Sequence, residues 1–315
     1  ADDWLRSLPG LEGPERLGDR GRALAWLDGE RAGLVAAVGW AREERFADAA
    51  VRLALYLGEY LHWRRYFDDL IAVAEAAREA AHRAGDRLNE AIAWDHLGNA
   101  LRATGRAGEA IEAHTRARDL HQATGDRHRE ACVWNNLGLA LREAGRAKEA
   151  IDAYTRARDL HQATGDRHGE AGTWDNLGRT EHEAGRAKEA IEAHTRARDL
   201  SRAVGDRHGE AIAWHNLGST LREAGRAEEA IEAYGKSLDL LRGFEDWYHE
   251  GLALYNLALA HESAHRPAEA RTAYLQAVDA FTCANAPTEA AQVRTRAAEQ
   301  PEYLPTLTPC PHAPE

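Results

Sequence analysis

The sequence predicts an all-α chain of stacked antiparallel helix pairs, and three observations carry the prediction. One short stretch returns as Trp94-Asp95-His96-Leu97-Gly98, Trp134-Asn135-Asn136-Leu137-Gly138, Trp174-Asp175-Asn176-Leu177-Gly178 and Trp214-His215-Asn216-Leu217-Gly218, forty residues apart each time. A fixed period of this size marks a stacked repeat protein. Within each repeat the apolar residues fall at helical spacing, as in Ala131, Trp134, Leu137 and Leu141. Strand signals are missing, with neither apolar alternation nor a hairpin turn between β-branched runs.

The elements follow in chain order. Residues 1–20 mix Pro9, Gly10, Gly13, Pro14 and Gly18 with charges and read as an irregular lead-in. Leu24, Leu27, Leu34, Val35 and Val38 then predict a short helix at about 22–28 and a longer one at about 30–43. A degenerate repeat follows, in which Leu57-Gly58 stands forty residues before Leu97-Gly98. Four close copies begin at 94, 134, 174 and 214, and Thr115 to His128 recurs letter for letter as Thr155 to His168. Each unit reads as helix A (about 130–144), a turn at Gly145, and helix B (about 147–163) stopped by Gly165, with Asp166 capping the next helix A. A worn unit holds Leu254-Tyr255-Asn256-Leu257-Ala258, with His265 replacing the turn glycine and Pro267 in a first helical turn. Thr288 can cap a last helix at about 289–299. The expected organisation is a lead-in over 1–45, six helix pairs over 46–285, a capping helix over 286–300, and a Pro-rich tail over 301–315 that is disordered or draped on the surface.

Bulk composition narrows the function. The formal net charge is −12 and no basic stripe is present, which disfavours nucleic acid. No apolar run approaches the ~20 residues that span a bilayer, so no membrane partner is expected. The acidic start, Ala1-Asp2-Asp3-Trp4, lacks the form of a signal peptide. Cys132, Cys283 and Cys310 are few, odd in number and unpaired by spacing, which points to a reducing, cytoplasmic setting. The chain contains no Met and reads as a piece of something longer or as a processed protein.

Helix A carries two stripes. Ala131, Trp134, Leu137, Gly138 and Leu141 share one side and should pack on Ala150, Tyr154, Ala157 and Leu160 of helix B. Gly138 then permits close approach, and loss of a buried Trp134 should cost roughly 3–5 kcal/mol. The other side is polar and holds Cys132, Asn135, Asn136, Leu139, Arg142 and Glu143.

The pattern Trp134, Leu137-Gly138, Leu141, Ala150, Tyr154, Ala157 resembles the tetratricopeptide repeat, lengthened to forty residues, over about 50–285. The resemblance implies a right-handed superhelical solenoid whose A helices line a concave groove that binds a protein or an extended peptide segment. It assigns to that groove Asp95, His96, Asn99, Arg102, Asn135, Asn136, Leu139, Arg142, Asp175, Asn176, Arg179, His215, Asn216, Ser219, Arg222, Tyr255 and Asn256. Asn136, Asn176, Asn216 and Asn256 form a row, as in the asparagine ladders of kinesin-light-chain-type and Pins-type relatives. Asn is a mediocre helix former, and its amide suits a peptide backbone. Duplicated copies would share Asn whatever its use, but Asn256 persists where the Trp and both marker glycines have gone. Charges beside the row are of both signs and leave the ligand's charge open. The Lys/Asn set of chaperone-tail carboxylate clamps is not matched.

Catalytic motifs are missing: no phosphate loop, no Gly-x-Gly-x-x-Gly and no Gly-x-Ser-x-Gly. The chain reads as a non-enzyme with no cofactor and no metal. His261-Glu262-Ser263-Ala264-His265 matches the zinc-protease pattern, but His261 occupies the packing position of Leu141 and His265 the turn position of Gly145, so a zinc hydrolase is only a remote alternative. His114 and His194 alternate with Tyr154 and Tyr234 as packed aromatics, while His128, His168 and His208 in the connections read as solvated.

Residues 25–38, Ala25-Trp26-Leu27-Asp28-Gly29-Glu30-Arg31-Ala32-Gly33-Leu34-Val35-Ala36-Ala37-Val38, resemble the segment joining the nucleotide-binding half of actinobacterial NB-ARC/STAND signal-transduction ATPases to their C-terminal repeats, with Gly33 where Asn is usual. The connection at 205–211 is similar to theirs. That resemblance implies a ligand-sensing or autoinhibitory region, whose partner can be the ATPase portion of its own full-length chain. The alternative is a free-standing adaptor of the kinesin-light-chain or Pins type.

Overall fold

The computed structural model describes residues 20–43 and 46–299. Fourteen α-helices and one 3-10 turn account for them, with no strand among the described residues. Helix α1 (Arg20–Val38) leads through the 3-10 turn Gly39–Arg42 to α2 (Ala47–Trp63) and α3 (Phe67–Ala84). The A and B helices then alternate: α4 (Arg87–Ala103) and α5 (Ala107–Thr124), α6 (Arg127–Glu143) and α7 (Ala147–Thr164), α8 (Arg167–Glu183) and α9 (Ala187–Val204). They continue as α10 (Arg207–Glu223) and α11 (Ala227–Leu241), α12 (Trp247–Ser263) and α13 (Pro267–Cys283), closed by α14 (Pro287–Ala298). The chain divides into two compact units, residues 1–126 and 127–315.

In the first unit the expected pair of N-terminal helices is one continuous helix, α1. A single interior glycine costs only about 1 kcal/mol, too little to break a helix with apolar contacts on both sides of it. Asp28, beside Gly29, caps nothing. It accepts hydrogen bonds from Tyr60 Oη at 2.7 Å and Arg64 Nε at 2.9 Å, fastening α1 to α2. Val38, Leu57, Leu61, Leu70 and Val73 form the core there.

In the second unit each A helix packs on its own B helix, and each B helix on the next A helix. The A helices of consecutive repeats also touch, α6 with α8, α8 with α10 and α10 with α12. They therefore form the tighter layer of this unit. The turns have the expected chemistry. Gly145 and Gly165 both take φ of 73°, and Arg146 N–H closes on Leu141 O at 2.9 Å. His265 holds the same left-handed conformation (φ 58°) without being glycine. Asp166, Asp206 and Asp246 cap α8, α10 and α12 by accepting from the N–H three residues on. The A helices begin right after these caps, a few residues earlier than the apolar periodicity suggests. The last helix starts at Pro287, not at a Thr288 cap.

Helices A and B meet over glycine. A Cβ on Gly138 would stand 2.5 Å from the Tyr154 ring, and one on Gly178 would stand 2.7 Å from the His194 ring. Leu137, Leu141, Ala150, Tyr154 and Ala157 are buried as expected, but Leu160 is only half-buried and His161 beside it is buried. The tryptophans depart further from expectation. Trp134, Trp174 and Trp214 are half-buried, and each Nε1–H donates to a glutamate four residues earlier, Glu130, Glu170 or Glu210. Arg158 lies 5.0 Å over the Trp174 ring and Arg198 lies 4.5 Å over Trp214. The tryptophan belongs to the seam with the preceding B helix, so its loss should cost less than the full core value. The tail over 301–315 and the lead-in over 1–19 lie outside the described residues.

Two glycines of α8 should respond with opposite sign. Gly178→Ala forces a methyl into the His194 ring and should destabilise by about 1–3 kcal/mol. Gly172→Ala has nothing within 4 Å of its new methyl and should stabilise by about 0.5–1 kcal/mol. Urea unfolding midpoints of the two variants against wild type check both signs.

Candidate functional site

The polar row of helix A is joined to itself. Asn176 Nδ2–H donates to Asn135 Oδ1 at 3.1 Å, and Asn216 Nδ2–H donates to both Asp175 oxygens at 2.9 and 3.1 Å. Asn256 Nδ2 lies 3.3 Å from His215 Nε2 and 3.1 Å from Leu252 O. Each pair joins an asparagine to the residue forty-one positions earlier, which precedes the asparagine position of the previous A helix. The first position of each pair varies (Asn135, Asp175, His215), yet each accepts. An acceptor facing an amide N–H is thus the constant, and this explains why Asn survives at 256. Asn136 has partners of its own.

Several other predicted groove residues reach back into the helix pairs. His114 Nδ1 lies 3.0 Å from Asp95 Oδ1, and His194 Nδ1 lies 3.2 Å from Asp175 Oδ1. Ser219 Oγ and Tyr234 Oη are 2.9 Å apart, and Tyr255 packs against Tyr274 at 5.8 Å. In the first unit His96 fills the space over Gly58, where a Cβ would stand 2.3 Å from its ring. His114 and His194 are buried, as the alternation with Tyr predicts, and the aspartate partner is an addition that spacing does not reveal. Burial pushes the Asp175 carboxyl upward, but the hydrogen bonds and charges of His194, with Asn216 and Arg179, outweigh it and hold it below the ordinary range. Burial, with a smaller contribution from His249, pushes His215 down to about 4, so it accepts from Asn256 as a neutral ring.

The arginines of the same layer are less well satisfied. Arg142 Nη1 and Arg222 Nε are buried and make no hydrogen bond. Arg142 stands 3.9 Å from Glu183, beyond hydrogen-bond reach, and Arg222 Nη2 donates to Glu223 at 3.3 Å. Arg179 is exposed, while Asn99, Arg102 and Leu139 are half-buried. These arginines occupy the same position in repeats two apart, with His182 between them pairing to Glu223 at 3.2 Å. A buried N–H without an acceptor is rare in a native fold and asks for a reason.

The zinc-protease pattern does not form a site. Helix α12 ends at Ser263, so His265 lies in a turn and does not share a helical face with His261. Glu262 is committed to Tyr274 Oη at 2.9 Å and to Arg296 at 3.2 Å. The connection histidines His128 and His168 are exposed, as the solvated reading expects, and His208 is half-buried; each also faces the capping aspartate of the next connection, at 3.5, 3.5 and 3.1 Å. No helix among the described residues is long and apolar enough to cross a membrane.

Residues 129–203 and 209–282 match the tetratricopeptide repeat family, and these residues form tetratricopeptide repeats. Curated proteins return no match. Among solved structures, the chain is similar to a Signal Transduction ATPase with Numerous Domains (STAND) protein with a tetratricopeptide repeat sensor from Pyrococcus horikoshii, at 14% identity and a TM-score of 0.62. That match covers 92% of this chain and 44% of that one. It is also similar to BtubC (BKLC) from P. vanneervenii (14% identity, TM-score 0.60, 79% of this chain and 99% of that one). A third similar structure is a Rap protein complexed with Competence and Sporulation Factor (15% identity, TM-score 0.58, 80% of this chain and 76% of that one). At these identities the likeness is one of fold.

The His215 environment predicts an acid sensitivity. Its folded value of about 4 lies below the 6.5 of a free histidine, so the unfolded chain takes up a proton first as pH falls. Stability from this group is present above pH ~6.5 and is lost as pH falls towards 4, by about 2 kcal/mol between pH 7 and 5. His215→Asn, which copies Asn135, should remove that part of the pH dependence. Equal losses in wild type and variant, from urea midpoints at the two pH values, would refute the assignment.

Proposed function

We propose that the A-helix layer of the second unit binds an extended protein segment rich in hydrogen-bond acceptors. The observation that carries this reading is the pair of buried guanidinium donors without acceptors, on Arg142 and Arg222. Backbone carbonyls and carboxylates are the groups a planar guanidinium fits best. The amide row is not the whole recognition surface, because Asn176, Asn216 and Asn256 each already spend an N–H within the protein. It fixes the A helices in register. The arginines, with Asn135, Asn136, Leu139 and the remaining amide groups, meet the ligand. A Rap protein of similar fold is complexed with Competence and Sporulation Factor, in keeping with such a use of the fold.

The biological setting we propose is the ligand-sensing or autoinhibitory region of a STAND-type regulator, in which the bound segment is an effector or part of the same polypeptide. The stretch at 25–38 and the similar fold of the STAND sensor support this. A coding sequence that runs upstream into a phosphate-loop ATPase is the expected finding. A start codon directly before Ala1 would favour the free-standing adaptor instead.

Screening a displayed library of extended peptides should enrich acceptor-rich sequences. Arg142→Ala with Arg222→Ala should weaken the enriched peptides by about tenfold or more, since hydrogen bonds to charged groups contribute ~1.5–3 kcal/mol. Asn136→Ala with Asn176→Ala should weaken binding less and should lower the unfolding midpoint, because Asn176 also bonds Asn135. Unchanged affinity in the arginine double variant by calorimetry would sink this reading.

A further inference from the structure

The geometry points to a divalent transition-metal site, of Zn2+ type, formed by His128, His161 and Asp166 at the edge where three helices meet. His128 comes from the first turn of α6, His161 from the last turn of α7, and Asp166 is the N-cap of α8. His161 Nδ1 lies 3.0 Å and His128 Nδ1 3.5 Å from Asp166 Oδ2, and the three donor atoms lie within 4.8 Å of one another. Zn–N and Zn–O bonds of about 2.0–2.1 Å in a tetrahedral site place adjacent donors about 3.3 Å apart. The two measured edges bracket that value.

His161 supplies the second observation. The residue is 2% exposed, and its Nδ1 makes no hydrogen bond although Asp166 Oδ2 stands 3.0 Å away. The contact has the distance of a hydrogen bond without its direction, which is the arrangement of two ligands beside a shared ion. Asp166 keeps its capping bond through the other oxygen, Oδ1, at 2.9 Å from Gly169 N, so Oδ2 is left to face the histidines. Gly169 provides the room, because a Cβ there would stand 2.4 Å from the His161 ring and 2.5 Å from Asp166 Oδ2. The side chain of His128 is 60% exposed, which gives an ion a way in and leaves a fourth position open to solvent. A bound ion would clip α6, α7 and α8 together, joining one repeat to the next.

The sister connections serve as internal comparisons. At His168–Asp206 the third donor is replaced by Ser201, leaving two ligands. At His208–Asp246–His249 three donors gather, but both rings bond Asp246 Oδ2 with hydrogen-bond geometry, at 3.1 and 2.8 Å. That corner is satisfied without an ion, and the His128 corner is not.

The test uses the untagged full chain, stripped with chelator and carrying His208→Ala so that the sister corner is removed. Titration with Zn2+ by calorimetry should show one saturable site, and Co2+ should give a visible band of four-coordinate intensity. His128→Ala and His161→Ser should each weaken Zn2+ binding by at least about tenfold, whereas His168→Ala should leave it unchanged. His161→Ser copies the Ser201 corner of the same chain, and unchanged helical circular dichroism verifies that it folds. No saturable Zn2+ uptake, or uptake that survives His128→Ala at full affinity, overturns the assignment.

Discussion

At Gly138, Gly178 and Gly218 an aromatic ring of the B helix lies where the A helix would otherwise carry a side chain. Tyr154, His194 and Tyr234 are the rings, all almost wholly buried. This contact sets the distance between the two helices of a pair, and the rest of the second unit is arranged around it. With the pair closed, small residues are sufficient around it: Ala131, Ala140, Ala150, Ala153 and Ala157 are all buried. A core of alanines tolerates little looseness, because a gap forfeits dispersion contacts that no larger side chain recovers. The glycine and its ring are therefore the constraint on which repeat geometry depends.

Closing the pair also determines the polar layer. Once the A helices of successive repeats touch, residues forty-one apart come within hydrogen-bond reach, and their chemistry has to be complementary. Three different acceptors, Asn135, Asp175 and His215, meet that requirement against one unvarying asparagine. The histidine does so by remaining neutral, which its burial enforces. The same layer leaves two guanidinium groups short of acceptors. Register and recognition thus share one face. In the proposed function asparagine serves chiefly the first and arginine the second.

The connections between pairs do more than join helices. Those that end in Asp166, Asp206 and Asp246 begin with a left-handed residue, Gly165, Gly205 or Glu245, and each capping aspartate is faced by a histidine from the connection before it. The edge of the stack is in this way a second ladder, parallel to the amide row and built from ionisable groups. Its first rung, where His161 adds a third donor, has the composition of a metal site.

The sequence alone determined the architecture. Period, helical spacing and turn chemistry located six helix pairs and a capping helix, and they identified the glycine–aromatic seam and the buried status of His114 and His194. These features are local or repeat with the chain, so one-dimensional spacing records them. Tertiary structure alone decided the partners. It moved the tryptophans from the core of a pair to the seam between repeats, merged two expected helices into α1, bonded Asn176, Asn216 and Asn256 to acceptors on the preceding A helix and drew His128 towards His161 and Asp166. Apart from the continuity of α1, each of these depends on which residues of different repeats come into contact, which is fixed by how helices pack and not by their spacing along the chain.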